Sequence, residues 1–322
     1  MSDATNRKSF IVAGILAVAV QAGAAGAADA HRHFPGIGAA MDAMVSAIAA
    51  GDTAALGAIL GPGSEDLYSS GDPVADRNAL EQFVEAVRAR TVIEYEGPDR
   101  VNLSVGDDEW PVPTPLVKDE AGWRFDGAAG KEEIVNRRIG RNELYAIEVM
   151  RDFVEAQEAY AVADPTRSGV RQYAQRMVST KGQRDGLYWP AAANEAPSPL
   201  GELVAAAVKE GYGDADTSKP VPFHGYLYRM LKAQGKQMPG GARSYVADGR
   251  MTAGFAFVAW PADYGNAGIK TFVVNQQGIV FEKDLGADTE KLVAAMTEYD
   301  PDDSWDPVED AEIGGPEVTS GP

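Results

Sequence analysis

Residues 125–160 read FDGAAGKEEIVNRRIGRNELYAIEVMRDFVEAQEAY. A Gly-punctuated turn runs into one long helical pattern, expected from about Lys131 to Ala163 and closed by Asp164-Pro165. Leu144, Ile147, Met150 and Val154 form one apolar stripe, and Tyr145, Val149, Phe153 and Tyr160 form an adjacent one. So wide an apolar face predicts burial on more than one side. The part up to Arg141 is more charged, and Gly140 weakens the helix there by about 1 kcal/mol.

The region before this helix opens with helical spacing. Met41, Met44, Val45 and Ile48 recur at helical intervals, Gly51-Asp52 stops that helix, and Asp52 or Thr53 caps the next. SEDLYSSGDPVAD is irregular or strand-like, with Asp76 as the expected cap of a helix whose Leu80, Phe83, Val84 and Val87 share a face. The period then changes to short runs with turns between them: TVIEYEG, RVNLSVGDD, PTPLVKDE and GWRFDG. DEAG reads as a hairpin turn, and Pro111, Pro113 and Pro115 predict an edge or bulged strand.

After the long helix, RQYAQRMVST reads as a second helical piece, followed by loops and a short helix from about Ser198. Strands return in HGYLYRMLKAQG, MTAGFAFVAW, IKTFVVNQQG and IVFEKDLG, with Gln277-Gly278 as a hairpin turn, and Thr289 starts a last helix. The pattern is α+β: a helix-covered curved antiparallel sheet over residues 38–128, then a long helix packed on a second antiparallel sheet over residues 129–300. Residues 301–322 hold seven acidic residues and no basic one and read as a disordered tail.

At the other end, Arg7 and Lys8, the apolar run of residues 11–20, and Ala25-Gly26-Ala27 follow the order of a secretory signal peptide over residues 1–27. Export, periplasmic or secreted, is the expectation. The apolar run is too short to span a membrane, and no later stretch is apolar enough. The chain has no cysteine, which excludes thiol nucleophiles, disulfides, thiolate zinc sites and iron–sulfur clusters. With 29 basic and 48 acidic residues the formal charge is −19, which disfavours nucleic acid and anionic membrane surfaces as partners.

Candidate sites follow from these exclusions. His224 is the one histidine in the body of the chain, and without a G-x-S-x-G elbow it reads as a strand-start residue rather than a catalytic base. Glu132/Glu133, Asp107/Asp108 and Asp302/Asp303 are adjacent carboxylates that point apart, unlike an acid–base pair. No catalytic residue, cofactor or metal site is assigned, although residues 300–303 offer hard oxygen ligands that suit weak Ca²⁺ binding. Arg137, Arg138, Arg141, Asn142 and Glu143 form the densest polar cluster at the junction. They read either as a docking or anion-binding patch or as an inter-domain network pairing with acidic groups such as Asp126 or Glu133. Tyr188, Trp189, Trp260 and Tyr264 offer a stacking surface for sugar or peptide, or else pack loops.

The helix–Gly-Asp–helix opening AMDAMVSAIAAGDTAALGAILG, then RNALEQFVEAV and the strands after it, resemble the nuclear transport factor 2-like fold. That resemblance implies a cone-shaped pocket and hosts both enzymes and non-catalytic binders. Ala156-Gln157-Glu158-Ala159-Tyr160 at the end of the long helix, with AFVAWPADYGNAGIKTFVVNQQGIVFEKD, resembles type IV pilins and pseudopilins over residues 136–285. The polymerising apolar stalk of pilins has no counterpart, so the resemblance implies a pilin-like head alone. WPVPTPLVK, WRFDGAAGKEEIVNRRIGRNEL, DGLYWP, SPLG, FHGYLYRML and DGRMTAGFAFVAWPADYGNAG together resemble the exported bacterial family called domain of unknown function 2950, which implies no activity.

Three functions are thereby open. The first is a non-enzymatic envelope protein that binds or assembles with another envelope protein or a cell-wall component. The second is an enzyme with acid/base carboxylates such as Asp72 or Asp76 in the cone. The third is a sugar or peptide binder using the second-half aromatics.

Overall fold

The computed structural model describes residues 31–192, 194–212 and 221–309, so residues 1–27, expected to be a signal peptide, and residues 310–322 of the expected disordered tail lie outside the described residues. Its architecture is α+β, with two antiparallel sheets bridged by one helix. Helix α1 (Ile37–Ala50) ends at Gly51, whose left-handed backbone (φ 62°) directs its N–H to Ala47 and Ile48 carbonyls. Asp52 then caps α2 (Thr53–Leu60) by accepting the Ala55 N–H at 2.9 Å. Helix α3 (Pro73–Ala89) begins one turn earlier than the sequence predicts. Its cap is Asp72, which receives the Val74 and Ala75 N–H groups, and Pro73 takes the first helical position. Asp76 is therefore inside the first turn rather than in front of it.

Strands β1 (Thr91–Tyr95), β2 (Arg100–Val105), β3 (Trp110–Asp119) and β4 (Gly122–Phe125) form a meander in that order. The expected DEAG turn closes β3 onto β4, with Asp119 opposite Gly122. The proline-bearing β3 lies inside the sheet rather than at its edge. It takes the bulged form that the prolines also predict: Val101 pairs with Leu116 and Leu103 with Val112, so residues 113–115 bulge out of register, while Pro111 stays opposite Ser104. Met41, Met44, Leu56, Ile59, Leu103, Leu116 and Phe125 form the core between α1, α2 and this sheet.

Helix α4 (Gly127–Ala163) is one uninterrupted rod of 37 residues, about 55 Å long. It starts at Gly127, a turn before the expected Lys131, because residues 127–130 are the point of contact with the first sheet. A Cβ on Gly130 would lie 2.5 Å from the Pro113 carbonyl oxygen, and one on Gly127 would lie 2.4 Å from that of Leu60. Glycine thus lets the helix press backbone to backbone on the bulged strand.

The C-terminal half of α4 packs on the second sheet. That sheet is built from β5 (Tyr226–Leu231), β10 (Ala256–Pro261), β11 (Lys270–Asn275), β12 (Phe281–Asp284) and β13 (Asp306–Pro307), with β5 and β13 at its edges. The intervening two-residue strands pair as β6 (Ala233–Gln234) with β7 (Arg243–Ser244), and β8 (Val246–Ala247) with β9 (Arg250–Met251). Residues 256–259 of β10 are buried on both faces. Between α4 and β5 lies α5 (Gly201–Lys209), and α6 (Thr289–Ala295) packs on β10.

Three expectations are corrected. The buried stripe of α4 is Ala146, Val149, Met150, Phe153, Ala156, Gln157 and Tyr160, whereas Leu144 is 64 % and Tyr145 40 % exposed. Val149, Met150, Phe153 and Tyr160 are buried as expected, and small Ala146 and Ala156 beside them let the helix approach the sheet where Leu144 and Tyr145 turn outward. Residues 171–180 are not helical. The Gln157 amide clamps Ala174, donating to its carbonyl at 2.9 Å and accepting its N–H at 2.8 Å, and the Tyr173 N–H goes to the Met251 carbonyl, so backbone groups needed for a helix are engaged elsewhere. Finally, residues 301–309 do not leave the fold: β13 pairs with β12, and the Val308 N–H reaches the Val280 carbonyl at 2.9 Å. Among the described residues, no helix is long and apolar enough to cross a membrane.

Candidate functional site

The apolar face of α3 is not fully closed against the sheet. Leu80 and Phe83 are only half-buried, although Val84 and Ala86 beside them are buried. The space they face is a cavity of about 180 Å³ between α1, α2, α3, β3 and the start of α4. Its floor is Met44, Leu56 and Phe125, all nearly inaccessible, and its sides include Ile48, Leu80, Phe83 and Val112. Such a volume slightly exceeds the roughly 150 Å³ apolar cavity that holds a benzene ring.

One end of the cavity is polar. Asp76 lies on the same stripe of α3 as Leu80 and Phe83, so its carboxylate faces inward. The buried Ser70 donates its hydroxyl to Asp76 Oδ1 at 2.6 Å and its N–H to Oδ2 at 2.9 Å. Burial pushes the Asp76 carboxyl above its ordinary value, against the Ser70 bonds and the Arg138 guanidinium, which favour the ionised form. Helix α4 contributes Ile134, Arg137, Arg138, Arg141 and Asn142, which share one face at intervals of three and four. The Arg137 guanidinium lies 5.2 Å over the Trp110 ring and pairs with Glu133 at 2.6 Å.

Glu133 therefore belongs to Arg137, one turn away, and not to Arg138. Arg138 is rotated by about 100° into the crevice between the lobes. There it donates to the Asn266 side-chain carbonyl and, at 3.2 Å, to the Leu67 carbonyl. Buried Asn142 donates to the Ala267 carbonyl at 2.9 Å, and Glu143 accepts the Ile269 and Lys270 N–H groups at 2.9 and 3.0 Å. Asn266 reaches back to the Ser69 carbonyl at 2.9 Å. Of the five junction residues, Arg138, Asn142 and Glu143 bind the 263–270 loop, while Arg137 and Arg141 stay exposed at the cavity mouth. Arg141 makes no hydrogen bond or ion pair with any described residue.

Asp72 is outside the cavity. Besides capping α3, its Oδ2 accepts the Tyr212 hydroxyl at 3.0 Å and the Gly225 N–H at 2.9 Å, tying α3 to the second lobe. Gly225 has φ 76°, and a Cβ there would meet Asn142 Nδ2 at 2.4 Å. His224 is in a left-handed turn before β5, stacked on Tyr145 at 4.3 Å with Glu210 at 3.2 Å. Its burial among Tyr145, Tyr212 and Phe223 outweighs the Glu210 carboxylate and holds the imidazole below its ordinary value.

A family model, "Protein of unknown function (DUF2950)", matches residues 31–308. The chain belongs to the DUF2950 family. No curated protein and no solved structure matches it.

In this DUF2950 protein the four predicted stacking aromatics occupy separate settings. Trp189 is in the second-lobe core under the Arg184 guanidinium, and the Tyr188 backbone pairs with Met177 and Ser179. Trp260 is on β10 with Arg229 at 6.0 Å, and the Tyr264 hydroxyl donates to Asp284 at 3.0 Å. No ring contact joins any two of the four among the described residues. The acidic stretch near residue 300 is engaged internally, as Asp300 accepts the Gln237 N–H and Asp302 that of Ser304. Among the described residues, no group of three or more His, Asp or Glu is placed to hold a metal ion.

The sequence pointed to Asp76 and the arginines but not to Trp110 or Ser70 as their neighbours. The available signal was the carboxylate at position i of a stripe whose i+4 and i+7 residues are Leu80 and Phe83. A charge on a core-facing stripe marks either a buried pair or a cavity.

Proposed function

We propose that this DUF2950 protein is an exported envelope protein that acts by binding, and that the cavity of the first lobe holds the apolar part of a small ligand. The observation that carries this reading is the half-open apolar face of α3. Leu80 and Phe83 line a concave space with a few convergent polar groups, the usual composition of a small-molecule site. The resemblance to nuclear transport factor 2-like domains, and the signal-peptide pattern of residues 1–27, support the pocket and the export respectively.

The test is fluorescence of N-phenyl-1-naphthylamine with the full chain and with Ala79→Phe, which fills the cavity from α3. Enhancement by the wild type, lost in the variant, is the expected result. Equal signals from both, or none from either, would remove the reading.

A second reading, acid–base chemistry by Asp76, draws support from the raised pKa of that buried carboxyl. Binding is preferred because both Asp76 oxygens are engaged by Ser70, and the cavity lining brings no histidine or second carboxylate to it.

A further inference from the structure

The three arginines at the cavity mouth differ in how they are partnered. Arg137 is matched by Glu133. Arg138, half-buried, donates to Asn266 and Leu67 and has the Asp76, Asp66 and Asp263 carboxylates favouring its charge, Asp66 being itself paired with Lys131 at 2.6 Å. Arg141 is left with neither hydrogen bond nor ion pair among the described residues. It is one turn from Arg137 on the same helix face and lines the cavity while remaining exposed. In a chain of net charge −19, where the overall field repels anions, an unmatched guanidinium beside an apolar cavity is a local exception.

The cavity is also polarised along its depth. Leu56 and Phe125 at the floor are dry, Phe83 and Trp110 higher up are half-buried, and Arg137 and Arg141 are exposed at the rim. An amphipathic molecule enters such a site apolar end first and leaves its head at the arginines.

We propose that the ligand is a small amphipathic monocarboxylate, with an apolar body of about six to eight carbons seated between α3 and β3 and its carboxylate bound by Arg141 beside Arg137. The proposal rests on the cavity being the ligand site. A single guanidinium without a direct hydrogen-bond or ion-pair partner fits a monoanion. A phosphate dianion would bring a second negative charge toward Asp76, Asp66 and Asp263 without a second free cation to meet it. The planar guanidinium also offers a carboxylate two parallel hydrogen bonds.

The experiment is displacement of N-phenyl-1-naphthylamine from the full chain by octanoate, 1-octanol and octyl phosphate at neutral pH. It is run on wild type, Arg141→Gln and Arg141→Lys, with circular dichroism melts as the folding control. Because Arg141 is exposed and holds no bond, its variants are expected to melt as the wild type does. Octanoate should bind about tenfold or more tightly than 1-octanol to the wild type, the margin of one charge-assisted hydrogen bond. Arg141→Gln should lose that margin with 1-octanol affinity unchanged, and Arg141→Lys should recover part of it. Displacement by 1-octanol as strong as by octanoate, tighter binding of octyl phosphate, or an Arg141→Gln variant that keeps the margin would each overturn the carboxylate assignment while leaving the cavity reading intact. Displacement by none of the three would overturn the cavity reading and this proposal together.

Discussion

Asp76 faces the cavity from the first turn of α3, with the Ser70 hydroxyl and N–H on its carboxylate and Leu80 one turn above it. Its raised carboxyl makes stability depend on pH in a definite sense. The unfolded chain releases this proton near the ordinary value of 3.8, while the folded chain holds it to higher pH. Across that window the unfolded state loses its proton first, so the fold loses stability as pH rises, and the loss is complete once the folded carboxyl ionises. Asp76→Asn has no proton to lose and keeps an acceptor for Ser70. Its stability relative to the wild type should therefore rise between about pH 4 and pH 7. Urea midpoints at the two pH values check this; a difference that stays flat or shrinks would place the Asp76 carboxyl at or below its ordinary range.

At the scale of the element, α4 carries two glycines with opposite roles. Gly130 meets the backbone of Pro113 and Thr114, at 2.5–2.8 Å from a would-be Cβ, whereas Gly140 has nothing within 4 Å and is exposed. Gly130→Ala should cost about 1–3 kcal/mol, because neither backbone can yield without moving the sheet. Gly140→Ala should stabilise by about 0.5–1 kcal/mol, through helix propensity and a less flexible unfolded chain. Thermal melts of the two variants should move in opposite directions, and a shared direction would contradict the assigned contacts. The helix itself was legible from its spacing and from Asp164-Pro165 at its end. Its buried face was legible at Val149, Met150, Phe153 and Tyr160 but not at Leu144 and Tyr145, because hydropathy favours Leu144 over Ala146 while close approach to a sheet favours alanine. The same holds at Gln157, a polar residue that is fully buried because its amide completes the Ala174 backbone.

Across the whole molecule, the two lobes are held by the single rod of α4 and by the 263–270 loop that Arg138, Asn142 and Glu143 grip. Asp72 adds a second tie through Tyr212 and Gly225. Arg138→Ala leaves the Leu67 carbonyl and the Asn266 side chain without their donor. It should lower stability by about 1–3 kcal/mol and separate the unfolding of the lobes. Scanning calorimetry should show one transition for the wild type and a broadened or double one for the variant. A single transition at the wild-type temperature would mean that these bonds do not couple the lobes.

Composition, periodicity and turn chemistry determined the α+β class, the order of most elements, a capped start for α2 and the C-terminal end of α4, because these depend on neighbours within a few residues along the chain. At β3 the three prolines left an edge or a bulged strand open, and the structure takes the bulged form; the local rules failed at residues 171–180, whose helical spacing yields to partners on α4 and β9. Only the tertiary structure decided which of three adjacent arginines would face a partner, a crevice or a cavity mouth. That choice depends on what a 55 Å helix, about as long as its 37 residues allow, meets on each side, and residues such as Leu67 and Asn266 come together there only when the chain has folded across some 200 positions.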